Sequence, residues 1–146
     1  MQTLRIAYLI LCLITLLAGC STPQKAQTHE TLFHALGKQE GLEKLVDAFI
    51  QQIGKDKSIH RYFAKASVSH FRKGFINHLC SISDGPCQYN GDSMQDIHTG
   101  MKINEADFNR VVELLINAME NADIAYPVQN KVLAKLAPLR GEIIKI

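Results

Sequence analysis

The sequence has no tryptophan, only four prolines, and little excess charge of either sign. Each shortage excludes something. With 16 basic against 14 acidic side chains, a net charge of +2 and no dense Lys/Arg run, nothing supports a nucleic-acid surface. No low-complexity tract or internal repeat is present, which excludes a repeat array or a largely disordered chain. No glycine-rich phosphate loop follows a strand pattern and no nucleophile elbow occurs, so catalysis by protein groups alone has no candidate. Strict apolar/polar alternation, the mark of a half-buried strand, is missing as well. What is there is 146 residues, 47% hydrophobic and 21% charged, enough for one all-α globular domain.

The front end reads as a targeting segment. Arg5 is its only charge, and Ile6 to Ala18 is apolar apart from Thr15. That run is shorter than the roughly 20 residues a spanning helix needs, and fits a signal peptide over 1–19. It ends in Leu17-Ala18-Gly19-Cys20, which resembles the lipobox of bacterial lipoprotein signals. The resemblance implies lipid on Cys20 and a domain exported and anchored to a membrane, facing the periplasm or the cell exterior; Ser21 is compatible with the outer membrane. An uncleaved helical anchor is the alternative. Ser21 to Glu30 is polar and aperiodic and reads as a tether, so the folded domain is expected over 31–146.

Helical periodicity dominates the rest. Leu42, Leu45, Val46, Phe49, Ile50 and Ile53 recur at spacings of three and four over Gln39–Ile53, before Gly54. Phe71, Phe75, Leu79 and Ile82 do the same over Ser67–Ile82, with Ser67 or Ser69 as cap, and a tight connection ending in Tyr62-Phe63 joins the two. Asp84-Gly85-Pro86 breaks the second helix and opens an irregular stretch, within which Ser93–Thr99 fits a short helix. Asn104 with Asp107 marks the next start, followed by Phe108, Val111, Val112, Leu115, Ile116 and Met119. The last helix is expected from Pro127, burying Val128, Val132, Leu133, Leu136 and Leu139. Leu32–Leu36 adds a turn at the front. An aperiodic segment over 83–103 inside so small a domain is the expected seat of function.

The order and spacing of several short runs are similar to those of the group I truncated haemoglobins, the two-over-two globins that hold haem b. The runs are Leu32-Phe33-His34-Ala35-Leu36-Gly37, Leu45-Val46-Asp47-Ala48-Phe49, Tyr62-Phe63, Gly85-Pro86-Cys87-Gln88-Tyr89-Asn90-Gly91, Met94-Gln95-Asp96-Ile97-His98 and Leu136-Ala137-Pro138-Leu139-Arg140. Lys38 and Asp84 stand where that family carries glycines. The resemblance implies a haem pocket with His98 as the proximal iron ligand, since a neutral imidazole is a good fifth ligand that leaves the other face open to a gas. It also implies that Phe63 packs on the haem face, with Phe71, Phe75, Leu79, Tyr89, Met94, Met101, Ile103 and Phe108 as further contacts. An apolar lining is what the burial of a porphyrin requires.

The resemblance places Ile50, Phe71, Phe75 and His78 on the distal side, with Ile50, Phe71 and Phe75 at positions where many relatives carry a tyrosine or a glutamine. Three apolar residues there predict weaker retention of dioxygen, or faster oxidation of the iron, than in relatives with the tyrosine. His78, or less directly His70, is a candidate sixth ligand; Arg72 and Lys73 are candidate partners for the haem propionates. Once Cys12 leaves with the signal and Cys20 is lipidated, Cys80 and Cys87 remain, either as a disulfide or as free thiols. A zinc site from His78, Cys80 and Cys87 is the remote alternative. The expected partners are a diatomic gas (dioxygen, nitric oxide or carbon monoxide), an external reductase, and the membrane through the lipid. Nitric oxide dioxygenation, an electron-transfer or sensor haem protein, and a haem-less helical interaction module are the rival functions.

Overall fold

The computed structural model describes residues 30–144. The signal segment, Cys20 and all but the last residue of the tether lie outside them. Among the described residues every regular element is helical: α1 (Leu32–Ala35), α2 (Lys38–Lys55), α3 (Lys57–Phe63), α4 (Val68–Ile82), α5 (Met94–His98), α6 (Glu105–Asn121) and α7 (Tyr126–Leu136), closed by a 3₁₀ segment Ala137–Glu142. No helix among these residues is long and apolar enough to cross a membrane.

Local chemistry sets the boundaries. Ser67, Ser93 and Asn104 each accept a hydrogen bond from the backbone N–H three residues ahead and so start α4, α5 and α6. The connection expected between the first two long helices contains a helix of its own. Asp56 accepts from the N–H groups of Ser58 and Ile59, and the fully buried Ile59 anchors the α3 turns that follow. The last helix stops at Leu136, one residue before a 3₁₀ turn carrying Pro138, and only Val132 of its expected apolar stripe is fully enclosed.

The core is assembled around α2. Leu42, Leu45, Val46, Phe49 and Ile53 are buried along one of its sides, with Ile76 and Leu79 from α4, Leu114, Leu115, Ala118 and Met119 from α6, and Val132 from α7. Helix α2 packs most extensively on α6 and then on α4, while α4 and α6 touch each other marginally at most. Each is thus held by α2 and not by the other. Half-buried apolar side chains remain on both: Phe71 and Phe75 on α4, Phe108 and Val111 on α6.

Polar contacts fix α3 against α6 at both ends. Arg110 donates to Asp56 at 2.7 Å, and the Tyr62 hydroxyl donates to the buried Asp107 at 2.6 Å, with Arg61 3.2 Å from the same carboxylate. The Ser58 hydroxyl, and after it Arg110, holds the Asp56 carboxyl well below the usual range. Hydrogen bonding to Asp107 pushes the Tyr62 phenol up. Phe63 follows directly on this pinned tyrosine, so its position is fixed by contacts one residue away.

Two residues that the resemblance sets at glycine positions adopt a glycine-like backbone. Lys38 and Asp84 both have φ of 60°, in the left-handed region. Gly41 and Gly85 are required for another reason. A Cβ on Gly85 would lie 2.7 Å from the Cys80 carbonyl and 2.8 Å from Phe33, and one on Gly41 would overlap the Leu36 carbonyl. Lys38→Gly is expected to stabilise the fold by about 0.5–1 kcal/mol, relief of left-handed strain outweighing glycine's added unfolded-state entropy. A denaturant midpoint at or below that of the parent chain would contradict this reading.

Candidate functional site

Helix α5 is a single capped turn placed to present His98. The Ser93 Oγ accepts from the Asp96 N–H at 3.1 Å and donates to the Asp96 carboxylate at 2.6 Å, which starts the turn. Four residues on from Met94, His98 Nδ1 lies 2.7 Å from the Met94 carbonyl. A carbonyl can only accept, so Nδ1 carries a proton, and in the neutral ring the lone pair is then on Nε2. Among the described residues nothing hydrogen-bonds Nε2. An imidazole oriented by Nδ1–H on a backbone carbonyl, with Nε2 unengaged, is arranged as a metal-ligating histidine is.

An aromatic wall forms the apolar part of the site. The Phe71 and Phe75 rings stack 5.6 Å apart, Phe63 stands edge-on to Phe71 at 5.0 Å, and Phe49 lies 5.4 Å from Phe75. These pairs bring together the end of α3, the first half of α4 and the middle of α2. Phe49 is in the core; Phe63, Phe71, Phe75 and the adjacent Ile50 are half-buried, packed on the core while retaining exposed surface. None of them offers a hydrogen-bond donor.

The loop after α4 brings His78 and Tyr89 together. Cys80 and Cys87 are joined by a disulfide with Cα atoms 5.7 Å apart, which folds the loop back on the end of α4. Tyr89 then stands edge-on to His78 at 4.9 Å, its hydroxyl donating to the Asp92 carbonyl. His78 is 8% exposed, and both of its ring nitrogens are buried without a hydrogen-bond partner. Leaving one such group unsatisfied costs about 1–3 kcal/mol. Burial pushes the His78 pKa down, which keeps the ring neutral.

The other residues expected at the site separate by exposure. Met94, Met101 and Phe108 are half-buried, and Ile103 is buried near the start of α6. The Arg140 guanidinium lies 5.7 Å over the Phe108 ring. Leu79 is fully buried in the core cluster. His70 is exposed on the outer side of α4. Arg72, a candidate for cofactor carboxylates, is already engaged by Asp47 at 2.6 and 2.9 Å and lies 3.7 Å from Glu43, whereas Lys73 is exposed. With both thiols in the disulfide, the zinc alternative loses two of its three ligands, and no cluster of three metal-binding side chains occurs among the described residues.

Haem suits this donor set better than a bare ion does. One imidazole nitrogen is free and oriented, an extended aromatic surface is left half-covered, and a buried histidine has unmet hydrogen-bonding capacity. Residues 31–145 match the Bacterial-like globin family. The chain belongs to that family. Its relatives include the group 1 truncated haemoglobins of Nostoc sp., 25% identical over 114 residues covering 78% of this chain and 97% of the relative, and of Tetrahymena pyriformis, 21% identical over 115 residues covering 79% and 95%. The ferric Tetrahymena pyriformis truncated haemoglobin superimposes with a TM-score of 0.75 over 78% of this chain and 97% of that one, at 21% identity. The 2/2 haemoglobin of Synechococcus sp. gives 0.74 at 15% identity over 80% and 99%. The globin fold of this chain is thus of the truncated two-over-two kind, and its globin relatives are haem-iron proteins.

Neither the Asp107–Tyr62–Arg61 contact nor the Asp47–Arg72 pair was legible in the sequence. Asp107 carried a signal only as the residue three after the cap Asn104, and its second role joins side chains 45 residues apart. A pH dependence follows from His78. The unfolded chain takes up a proton on His78 near its ordinary 6.5, while the folded haem-free chain resists doing so. That contribution therefore lowers stability as pH falls below about 6.5, by up to ~1.4 kcal/mol per pH unit. His78→Phe is expected to lose stability less steeply than the parent between about pH 7 and 5; equal slopes in denaturant titrations would overturn the assignment.

Proposed function

We propose that this globin holds haem b with His98 Nε2 as the axial ligand and reversibly binds a diatomic gas on the opposite side. The observation that carries the reading is the His98 ring, held through Nδ1 by the Met94 carbonyl with Nε2 left open. Haem iron supplies the open coordination position. The protein's part is to exclude water and to orient the ligand: Phe63, Phe71 and Phe75 provide the dry aromatic wall, Tyr89, Met94, Met101, Ile103 and Phe108 provide further contacts, and the disulfide steadies the loop beneath them. In this reading Ile50, Phe71 and Phe75 form the gas side.

An apolar gas side selects among gases. A hydrogen bond to polar bound dioxygen is worth about 1–2 kcal/mol, up to roughly thirtyfold in dissociation constant, and carbon monoxide gains less from one. The wild-type wall offers no donor, so dioxygen should leave quickly. Ile50→Tyr is expected to slow dioxygen release about tenfold or more, with a much smaller change for carbon monoxide. Similar changes for both gases, or none, would show that Ile50 does not face the bound gas.

The unpartnered nitrogens of His78 favour a second reading, in which that ring occupies the sixth position and the protein transfers electrons or senses rather than carries gas. A six-coordinate ferrous spectrum converted to five-coordinate by His78→Phe would establish it. Sustained nitric oxide consumption with a supplied electron donor would instead make the protein a nitric oxide dioxygenase, which needs an external reductant. The lipobox-like run further supports an exported protein tethered to a membrane through Cys20. Retention of signal residues 1–19 on the purified chain, or recovery of the chain without lipid, would contradict that part.

A further inference from the structure

Charge is distributed unevenly over the domain. Between residues 55 and 73 stand Lys55, Lys57, Arg61, Lys65, Arg72 and Lys73, with Asp56 the only acidic residue; the other described residues hold seven Lys and Arg against thirteen Asp and Glu. A nearly neutral chain thus carries a positive pole at the corner between α3 and α4, and the opposite sign elsewhere. Part of that pole is internally compensated. Arg61 is paired with Asp107 and Arg72 with Asp47, while Asp56 is taken up by Arg110. Lys57, Lys65 and Lys73 are exposed, and no acidic side chain lies within ion-pair distance of them, so their charge projects into solvent.

The same basic segment carries a small exposed apolar surface. Val68, the first residue of α4, is 62% exposed, and Ala64 and Ala66 beside it are exposed as well. Exposed apolar residues interspersed with exposed basic ones have the composition of a protein-docking surface, and one this small suits a transient contact. The surface also lies against the candidate pocket, because the segment that forms it runs from Phe63 to Phe71, whose rings meet at 5.0 Å.

We propose that the α3–α4 corner docks an acidic one-electron carrier that reduces the bound haem iron. The inference rests on the haem reading above. One electron leaves the carrier's reduced centre and the ferric iron becomes ferrous; no bond forms or breaks and no proton moves. Charge complementarity selects an acidic partner, and steering by such a pole raises association rates by about ten- to a thousandfold. Its place beside the aromatic wall favours a protein over lipid headgroups: an electron donor has to stand near the cofactor it reduces, and Phe63 and Phe71, whose rings meet at 5.0 Å, bound the segment that carries the exposed apolar residues and Lys65.

The test uses the full haem-loaded chain in nonionic detergent and a reduced plant-type [2Fe–2S] ferredoxin as the acidic carrier. Its reduction of the ferric protein is followed by stopped flow, and its binding to the haem-free chain by fluorescence anisotropy of labelled ferredoxin. The triple variant Lys57→Glu, Lys65→Glu, Lys73→Glu changes exposed side chains only, and its folding is checked by circular dichroism. At low salt it is expected to lower the association rate at least about tenfold and to weaken binding to the haem-free chain, with the difference largely gone by about 0.5 M salt. Absence of ferredoxin binding to the parent chain, equal behaviour of parent and variant, or no salt dependence would overturn the proposal. So would unchanged ferredoxin binding in a variant that loses binding to phosphatidylglycerol vesicles, since the corner would then be a headgroup contact. Failure of the haem reading would appear separately, as the absence of a specific haem spectrum while binding to the haem-free chain is still measured.

Discussion

Everything at the site depends on α2 being gripped from two sides by helices that do not grip each other. Its buried stripe from Leu42 to Ile53 serves α4 and α6 at once. Were α4 and α6 free to close on one another, Phe71 and Phe75 would finish as ordinary core residues. Because α2 holds them in place, these aromatics are packed on one side and open on the other. The contacts at the two ends of α3 then set Phe63 beside them.

The second requirement is an oriented imidazole, and it is met with very little structure. Five helical residues, one serine cap and one hydrogen bond from Nδ1 to the Met94 carbonyl determine which nitrogen of His98 is available. The irregular stretch before α5 is not slack. The Cys80–Cys87 disulfide and the tight approach at Gly85 return it to the end of α4, where Tyr89 covers His78. The buried and unpartnered nitrogens of that histidine are the local cost of this arrangement.

Much of the architecture was legible in the sequence because long amphipathic helices announce themselves by period. The stripes beginning at Leu42, Phe71 and Phe108 yielded α2, α4 and α6 within a residue or two. Helix α3 escaped notice since seven residues with one enclosed side chain, Ile59, leave no periodic trace. Its signal was the cap at Asp56, three residues before Ile59. His98 stood out only through the resemblance of its surroundings, because a lone histidine has no period. Lys38 and Asp84 show a different limit: their left-handed backbone follows from the turns they occupy, and for lysine it runs against the residue's own preference. The pairing of Tyr62 with Asp107 joins elements that only the fold brings together.

The central claim is that His98 provides the axial ligand of a haem globin. Its most direct test is the optical spectrum of the haem-loaded protein in ferric, ferrous and carbon monoxide forms, beside His98→Ala. The account predicts a specific haem spectrum with a five-coordinate ferrous form, and loss of the histidine-ligated signature in the variant. Identical spectra for the two proteins would contradict it, as would failure of the parent chain to take up haem at all.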